Sequence, residues 1–512
     1  MMGSETELKF QVSSQDMKSL RTARSLRPMG AASTEGEKLQ SVYFDTAERR
    51  LRRKGISLRV RHNRGTRVQT IKTQTSGIPL NRGQWEHKID GDQPDLRFMR
   101  GTPLAKLRTK KLRSALSPIF VTQICRVTRL LNEDGSRIEM ALDEGLVRAG
   151  RKTGLISEVE LELKRGKVLD LFQLAKRIGS LVPAKLAFKS KSERGYDLLA
   201  DATGPSYAAD QINLKSGMST GEAFQVIGRS ILRHVVDNES AARKGDSEGV
   251  HQMRVGLRKL RAAISSFAEL VDDKQTERIE SEIIWMTGEL GSARDLDVYI
   301  KTKIEPLRKL RPRKSGLREF AGDLASRRRT AFKKMKHAID SPRYRSLILD
   351  ILQWIEAGEW LKHSKIRARR PVHLFAAKSL AQQFRKVLRK QKGVAKFDSR
   401  QLHKLRIRFK KLRYSCEFFG GLFDTRKMSY RRRRFNDCVA DLQDNFGALN
   451  DISVHQKIAT ALVAEKTSTQ HPRRDFAAGI VSGREQGEIE TFLKTVSKTA
   501  RKLSQMRPFW IR

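Results

Sequence analysis

Glu5-Thr6-Glu7-Leu8-Lys9 and, much later, Glu158-Val159-Glu160-Leu161-Glu162-Leu163-Lys164 decide how the first two hundred residues are read. In a β-strand successive side chains point to opposite faces, so Glu5, Glu7 and Lys9 share one face and Glu158, Glu160, Glu162 and Lys164 another, with leucine and valine behind them. Carboxylates spaced this closely repel one another unless cations neutralise them, and hard oxygen donors suit Mg²⁺ or Mn²⁺. The competing reading is a pair of amphipathic strands whose acidic faces meet water. Alternating cations elsewhere argue against it: Ser57, Arg59 and Arg61, then Thr70 and Lys72, then Arg126, fall in further period-two runs.

Those runs include Glu5–Val12, Ser41–Asp45, Ile56–Arg61, Arg67–Lys72, Thr122–Leu131, Arg137–Asp143 and Ser157–Lys164, separated by turn signals such as Arg64-Gly65 and Asp134-Gly135. Many short strands with polar residues on the hidden face suggest a barrel with a wet interior, whereas a small barrel is usually filled by apolar side chains. Acids holding metal and bases holding phosphate oxygens would account for such a lumen.

From Ser219 onward the period changes. Ser219 and Glu222 form a capping box ahead of the apolar series Phe224, Ile227 and Ile231, and the pattern stays helical nearly to the end, with breaks near Arg311–Ser315, Gly358, Gly393 and His471-Pro472. Gly204-Pro205-Ser206 marks a linker. The expected division is residues 1–200, a linker at 201–216 and a helical region at 217–512.

The helical region repeats itself. His251-Gln252-Met253-Arg254-Val255-Gly256-Leu257-Arg258-Lys259-Leu260-Arg261 recurs as His403-Lys404-Leu405-Arg406-Ile407-Arg408-Phe409-Lys410-Lys411-Leu412-Arg413. Gly291-Ser292-Ala293-Arg294-Asp295-Leu296-Asp297-Val298 recurs as Gly447-Ala448-Leu449-Asn450-Asp451-Ile452-Ser453-Val454. Two motifs repeated in order imply two related helical bundles. At about 100° per residue, His251, Arg254, Arg258 and Arg261 form one stripe beside an apolar face, and His403, Arg406, Lys410 and Arg413 repeat it. Neither stripe has acids at i+4 to relieve its repulsion, so a polyanion laid along both would supply the countercharge. His251 and His403 are either ligand contacts or polar residues hydrogen-bonded between helices.

Composition bounds the partner. A net charge of +47 on 512 residues points to a polyanion. The excess lies in both halves, with 40 Lys/Arg against 22 Asp/Glu up to residue 200 and 64 against 35 beyond it. Nucleic acid, polyphosphate and anionic membrane all satisfy such a field. Aromatic residues are only 7% and are not interleaved with the basic runs, which disfavours base stacking and sequence-specific nucleic acid binding. Cys125, Cys416 and Cys438 form no CxxC pair, as suits a reducing cytosol, and no apolar run is long enough for membrane insertion. Nothing in the sequence specifies an oligomeric state.

The N-terminal motifs resemble the CYTH, or triphosphate tunnel metalloenzyme, family: Glu5-Thr6-Glu7-Leu8-Lys9, Tyr43-Phe44-Asp45-Thr46, Leu58-Arg59-Val60-Arg61, Glu158-Val159-Glu160-Leu161-Glu162, and Lys189-Ser190-Lys191 followed by Arg194-Gly195-Tyr196. The resemblance implies an eight-stranded antiparallel tunnel barrel that hydrolyses a triphosphate with Mg²⁺ or Mn²⁺. It assigns Glu5, Glu7 and Lys9 to catalysis, Glu5, Glu7, Glu158, Glu160, Glu162 and Asp143 to metal, and Lys9, Arg59, Arg61, Lys72, Arg126, Lys189 and Lys191 to phosphate, with Glu86 a further acid. The helical half resembles the CHAD family, which implies a pair of four-helix bundles binding long-chain polyphosphate through His251, Arg254, Arg258, Lys259, Arg261, His403, Arg406, Lys410, Lys411 and Arg413. The fold class implied is α+β, and the function is inorganic triphosphate hydrolysis joined to polyphosphate binding, in the cytoplasm or at polyphosphate granules. The alternatives are a granule-binding protein with a weak or vestigial enzyme, and a triphosphatase acting on thiamine triphosphate or a nucleotide.

Overall fold

The computed structural model describes residues 3–26, 36–63, 65–73, 81–105, 109–200, 206–310, 315–394, 397–423, 426–464 and 472–511; the side chains of a few further residues at element ends, Glu5 among them, are not described. Arg64, Gly204, Pro205, Arg311 and His471, named above at turns and breaks, lie outside that set. The chain forms two compact units, one of Met1–Tyr207 with Ser341–Ala357 and one of Ala208–Asp340 with Gly358–Arg512.

The first unit is built on antiparallel strands β1 (Gly3–Gln11), β2 (Glu37–Asp45), β3 (Ile56–Asn63), β4 (Thr66–Thr73), β5 (Asn81–Ile89), β6 (Ser117–Glu133), β7 (Ser136–Ala149), β8 (Lys152–Arg165) and the short β9 (Lys185–Leu186). Their order is β5-β4-β3-β2-β6-β7-β8-β1-β9, and the start of β1 pairs with β5 as well. The described sheet thus has a ninth, two-residue strand beyond the eight expected.

The period-two patterns place the core outside the polar face. Leu8 and Phe10 on β1, Leu58 and Val60 on β3, and Val159 and Leu161 on β8 are all buried. Helix Val168–Leu181 turns Leu171, Phe172, Leu174, Ala175 and Ile178 inward and packs against β6, β7, β8 and β1. Helix Lys191–Leu199 opens with a capping box in which Ser190 and Glu193 satisfy each other's backbone, and it lies against β6, β7 and β8. Gly195 permits that approach, because a Cβ there would fall 2.3 Å from the Phe120 ring. Tyr196 then donates its hydroxyl to Asp45 at 2.7 Å, and Asp45 also accepts the backbone N–H groups of Thr46, Leu51 and Arg52. Asp45 and Tyr196, which the sequence shows only as motif letters, are therefore one buried joint that fixes the first residue of the helix, Lys191.

A helix from later in the chain, Pro342–Ala357, belongs to the first unit. It packs on helix Val168–Leu181 and β9, and Asp350 meets Lys176 at 2.7 Å. Its sequence position between the two basic repeats gives no sign of this, since an apolar run reports burial and not which unit provides it.

The second unit is helical. Helices Thr220–Asp237, Ser247–Ser266, Lys274–Tyr299 and Ser315–Asp340 pack in succession, as do Val372–Lys390, Ser399–Phe419, Arg426–Ala464 and Pro472–Ser504. The two repeat-bearing helices, Ser247–Ser266 and Ser399–Phe419, pack against each other. Tyr299 stacks on its repeat counterpart His455, with centroids 4.2 Å apart. No described helix is long and apolar enough to cross a membrane.

Candidate triphosphate site and basic groove

Strand register determines which charges meet. Across β1 and β8, Glu7 faces Glu162, Lys9 faces Glu160 and Gln11 faces Glu158. Across β7 and β8, Glu139 faces Glu162 and Asp143 faces Glu158; across β6 and β7, Arg126 faces Asp143. On the opposite wall Tyr43 faces Arg59, Arg59 faces Thr70, and Thr70 faces Glu86. These side chains enclose a cavity of about 240 Å³ lined by Glu7, Lys9, Arg59, Arg61, Lys72, Glu86, Arg126, Glu160, Glu162 and Lys191 from the sequence assignment, together with Tyr43, Gln84, Glu139, Ser190 and Ser192, which that assignment did not include.

At one end Asp143, Glu158 and Glu160 bring carboxylate oxygens within 4.8 Å of one another. Protein cations already hold them. Arg126 reaches Asp143 and Glu160, each at 2.6 Å. Lys191 reaches Asp143 at 2.6 Å and Glu160 at 2.9 Å and also pairs with Glu158. Lys9 meets Glu160 at 2.8 Å, and Arg194 meets Glu158 at 2.9 Å. Burial alone would disfavour the charges on Asp143 and Glu160. The mutual field overrides it, driving Glu160 far below the usual carboxylate range and raising Lys191, Lys9 and Arg126. Lysine and arginine thus supply cations to the neighbouring acids, and the same three carboxylates lie close enough together to hold a metal ion. Asp143 and Glu158 are fully buried behind the cavity wall.

The cavity also has an acidic side and a basic side. Glu7, Glu162 and Glu139 lie side by side on β1, β8 and β7, with Lys164 at 2.8 Å from Glu162 and 3.5 Å from Glu139. Opposite them, Arg59 and Arg61 have buried Nε atoms with no hydrogen-bond partner among the described residues. Arg61 is brought down to about 10, first by the Arg59 guanidinium, then by burial, then by Arg126. Tyr43 is raised by burial, but Arg59, with Lys191 and Arg61, together outweigh that and hold its phenol below the ordinary value. A set of cations with unused donors facing an open space matches an anion with several oxygens.

One expected phosphate ligand falls elsewhere. Lys189 is held by Asp197 at 2.8 Å and by the Tyr207 hydroxyl, and does not line the cavity. It sits in coil just ahead of a helix, where no periodicity gives a side-chain direction. Glu5 continues the polar face of β1 by register, but its side chain is outside the described residues.

In the second unit the two stripes meet in one groove of about 840 Å³, lined by His251, Arg254, Arg258, Arg261, His403, Arg406, Lys410 and Lys411. Both histidines thus face the groove. Arg254 donates to Asp295 at 2.6 Å, and its repeat counterpart Arg406 donates to Asn450 at 2.7 Å. Asp297 is buried and accepts from Ser247 and Arg328, so it braces helices, whereas Asp295 orients a groove arginine. Burial brings His251 down to about 4, with Arg294 adding to it. Lys259 lies about 100° off the stripe and is tied to Glu417. Arg413 is not among the lining residues.

Comparison with known proteins agrees with both halves. The CYTH domain model matches residues 3–196 and the CHAD domain model matches residues 227–460. An inorganic triphosphatase of Haemophilus influenzae is 31% identical over 162 residues, 31% of this chain and 45% of that protein, so the chain spans less than half the length of this curated relative. Among solved structures, the CHAD domain of Ricinus communis is 25% identical with a TM-score of 0.49, covering 58% of this chain and 96% of that one. A Hippeastrum protein described as a putative adenylyl cyclase with dominant triphosphatase activity is 17% identical with a TM-score of 0.27, covering 38% of this chain and 96% of that one. With strand and helix motifs matched in order, the chain is a CYTH domain followed by a CHAD domain, distantly related to a bacterial inorganic triphosphatase.

Proposed function

We propose that the first unit hydrolyses inorganic triphosphate with Mg²⁺ or Mn²⁺ and that the second binds long-chain polyphosphate. The observation carrying the first part is the opposition of Arg59, Arg61 and Lys72 to Glu7, Glu139 and Glu162 across one small cavity. Pairing of β1 with both β8 and β5 supports the view that this cavity runs along a tunnel. Among the described residues the lining has little to hold an organic appendage: Tyr43 is the one aromatic residue there and faces Arg59.

In this reading Arg59, Arg61 and Lys72 bind the phosphate oxygens and stabilise the charge that spreads over the equatorial oxygens as water attacks a terminal phosphorus. Lys9, Arg126 and Lys191 hold the inner carboxylates in place. The hard oxygens of Glu7, Glu160 and Glu162, with Glu5 adjoining on the same strand face, fit a divalent ion; when bound it would neutralise phosphate charge and activate water. The neutralisation of Asp143, Glu158 and Glu160 by bases favours a second reading, a polyphosphate-binding protein with a weak enzyme.

The two readings separate in a titration of Mg²⁺ and Mn²⁺ against phosphate release from tripolyphosphate, for the parent and for Glu7→Gln and Glu162→Gln. Loss of at least a hundredfold in kcat with unchanged melting supports the enzyme. Slow, metal-independent release that neither substitution alters would leave only the binding protein.

A further inference from the structure

The two stripes of the groove are not equivalent. Arg254 donates to the Asp295 carboxylate, whereas Arg406 donates to the neutral amide of Asn450, which stands where the first repeat has Arg294, and feels the Asp451 carboxylate without a hydrogen bond to it. Lys410, one turn beyond Arg406, lines the same groove and makes no hydrogen bond or ion pair with any described residue. Its ammonium would face Arg254 and Arg258 from helix Ser247–Ser266 and Arg406 on its own helix. Asp451, on helix Arg426–Ala464, is the carboxylate that favours its charge, and Asp295, Asp444 and Glu280 line the same space. Guanidinium groups keep their proton in such a setting, but an amine can release one.

We infer that Lys410 is the proton-linked contact of the groove: neutral when the groove is empty and charged when a phosphate chain lies in it, so that polyphosphate binding tightens as pH falls. This rests on the reading of the groove as a polyphosphate site and adds a regulatory property to it. Burial, followed by Arg258, Arg406 and Arg254, brings Lys410 down to about 6 in the free protein, with Asp451 only partly opposing them. A polyanion reverses the sign of the local field and restores the amine towards its ordinary range, which requires a proton from solvent. His251, at about 4, and Lys411, lowered by burial and by Arg261, also line the groove and are further sources of uptake, so the test must separate them from Lys410.

The test is calorimetric titration of the full chain with size-fractionated long-chain polyphosphate, in EDTA to prevent hydrolysis, from pH 7 to 8.5 in buffers of different ionisation enthalpy. The parent should take up close to one proton per bound site, and its affinity should fall about tenfold per pH unit. Lys410→Arg, whose charge is fixed, should bind with no uptake and an affinity that no longer follows pH. Parent binding without uptake, or equal uptake by parent and Lys410→Arg, which would implicate His251, Lys411 or the chain ends, overturns the inference while leaving the groove intact. Absence of binding in every buffer overturns the groove reading and the inference with it.

Discussion

Replacing Arg61 by glutamine should make the first unit more stable and less active. Arg61 sits at about 10 because Arg59, burial and Arg126 all disfavour its charge. Relative to an ordinary arginine that displacement is worth about 3 kcal/mol, at about 1.4 kcal/mol per tenfold change in proton affinity. Glutamine removes the charge, keeps most of the stem and relieves Arg59. Some packing is lost, so a net gain of about 1–2 kcal/mol is the working figure, or roughly 5 °C in the melting temperature of a domain this size. The same cation is placed to meet substrate oxygens, and deleting one such donor costs about 3–4 kcal/mol in the transition state, a hundredfold or more in kcat. Differential scanning fluorimetry without substrate and steady-state phosphate release give the two numbers. A variant that melts lower than the parent and keeps kcat within threefold would refute the claim that Arg59 and Arg61 are mutually repelling cations awaiting phosphate.

Other expectations follow from single contacts. Lys189→Met should leave KM for tripolyphosphate within about twofold, because Lys189 is committed to Asp197 and Tyr207; a tenfold rise would return it to the phosphate set. Asn450→Asp places a carboxylate beside Arg406 and should weaken polyphosphate binding about fivefold or more at constant salt, read by fluorescence anisotropy. Lys410 sits at about 6 when folded and in the ordinary lysine range when unfolded, so the unfolded chain holds the extra proton between those limits. Stability of the second unit should therefore rise with pH across that window by at most about 1.4 kcal/mol per unit, and Lys410→Met should flatten the slope in urea melts.

Much of the site was legible because alternation assigns faces without any knowledge of neighbours. Alternation set the strand faces of Glu7, Lys9, Arg59, Arg61, Lys72, Arg126, Glu160 and Glu162, the family resemblance proposed that they share one site, and all eight line the cavity. Glu139 could have been found the same way, since it shares a face with Ala141 and Asp143, but the small residue between them hides the pattern. Partnership across strands was not legible. That Lys191 and Arg126 would quench the inner acids depends on the register of β6, β7 and β8 and on where a helix begins. In the helical half the repeat identified the stripes, while the angle of Lys259 decided its diversion to Glu417. The placement of Pro342–Ala357 in the first unit depends on a complementary face far away in sequence.

The central claim is tested most directly by phosphate release from tripolyphosphate, ATP, thiamine triphosphate and long-chain polyphosphate, each with and without Mg²⁺ or Mn²⁺. The arrangement of Arg59, Arg61 and Lys72 opposite Glu7, Glu139 and Glu162 predicts metal-dependent hydrolysis of tripolyphosphate at least tenfold faster in kcat/KM than of either organic triphosphate. No release from tripolyphosphate with either metal, or faster release from ATP or thiamine triphosphate, would contradict it.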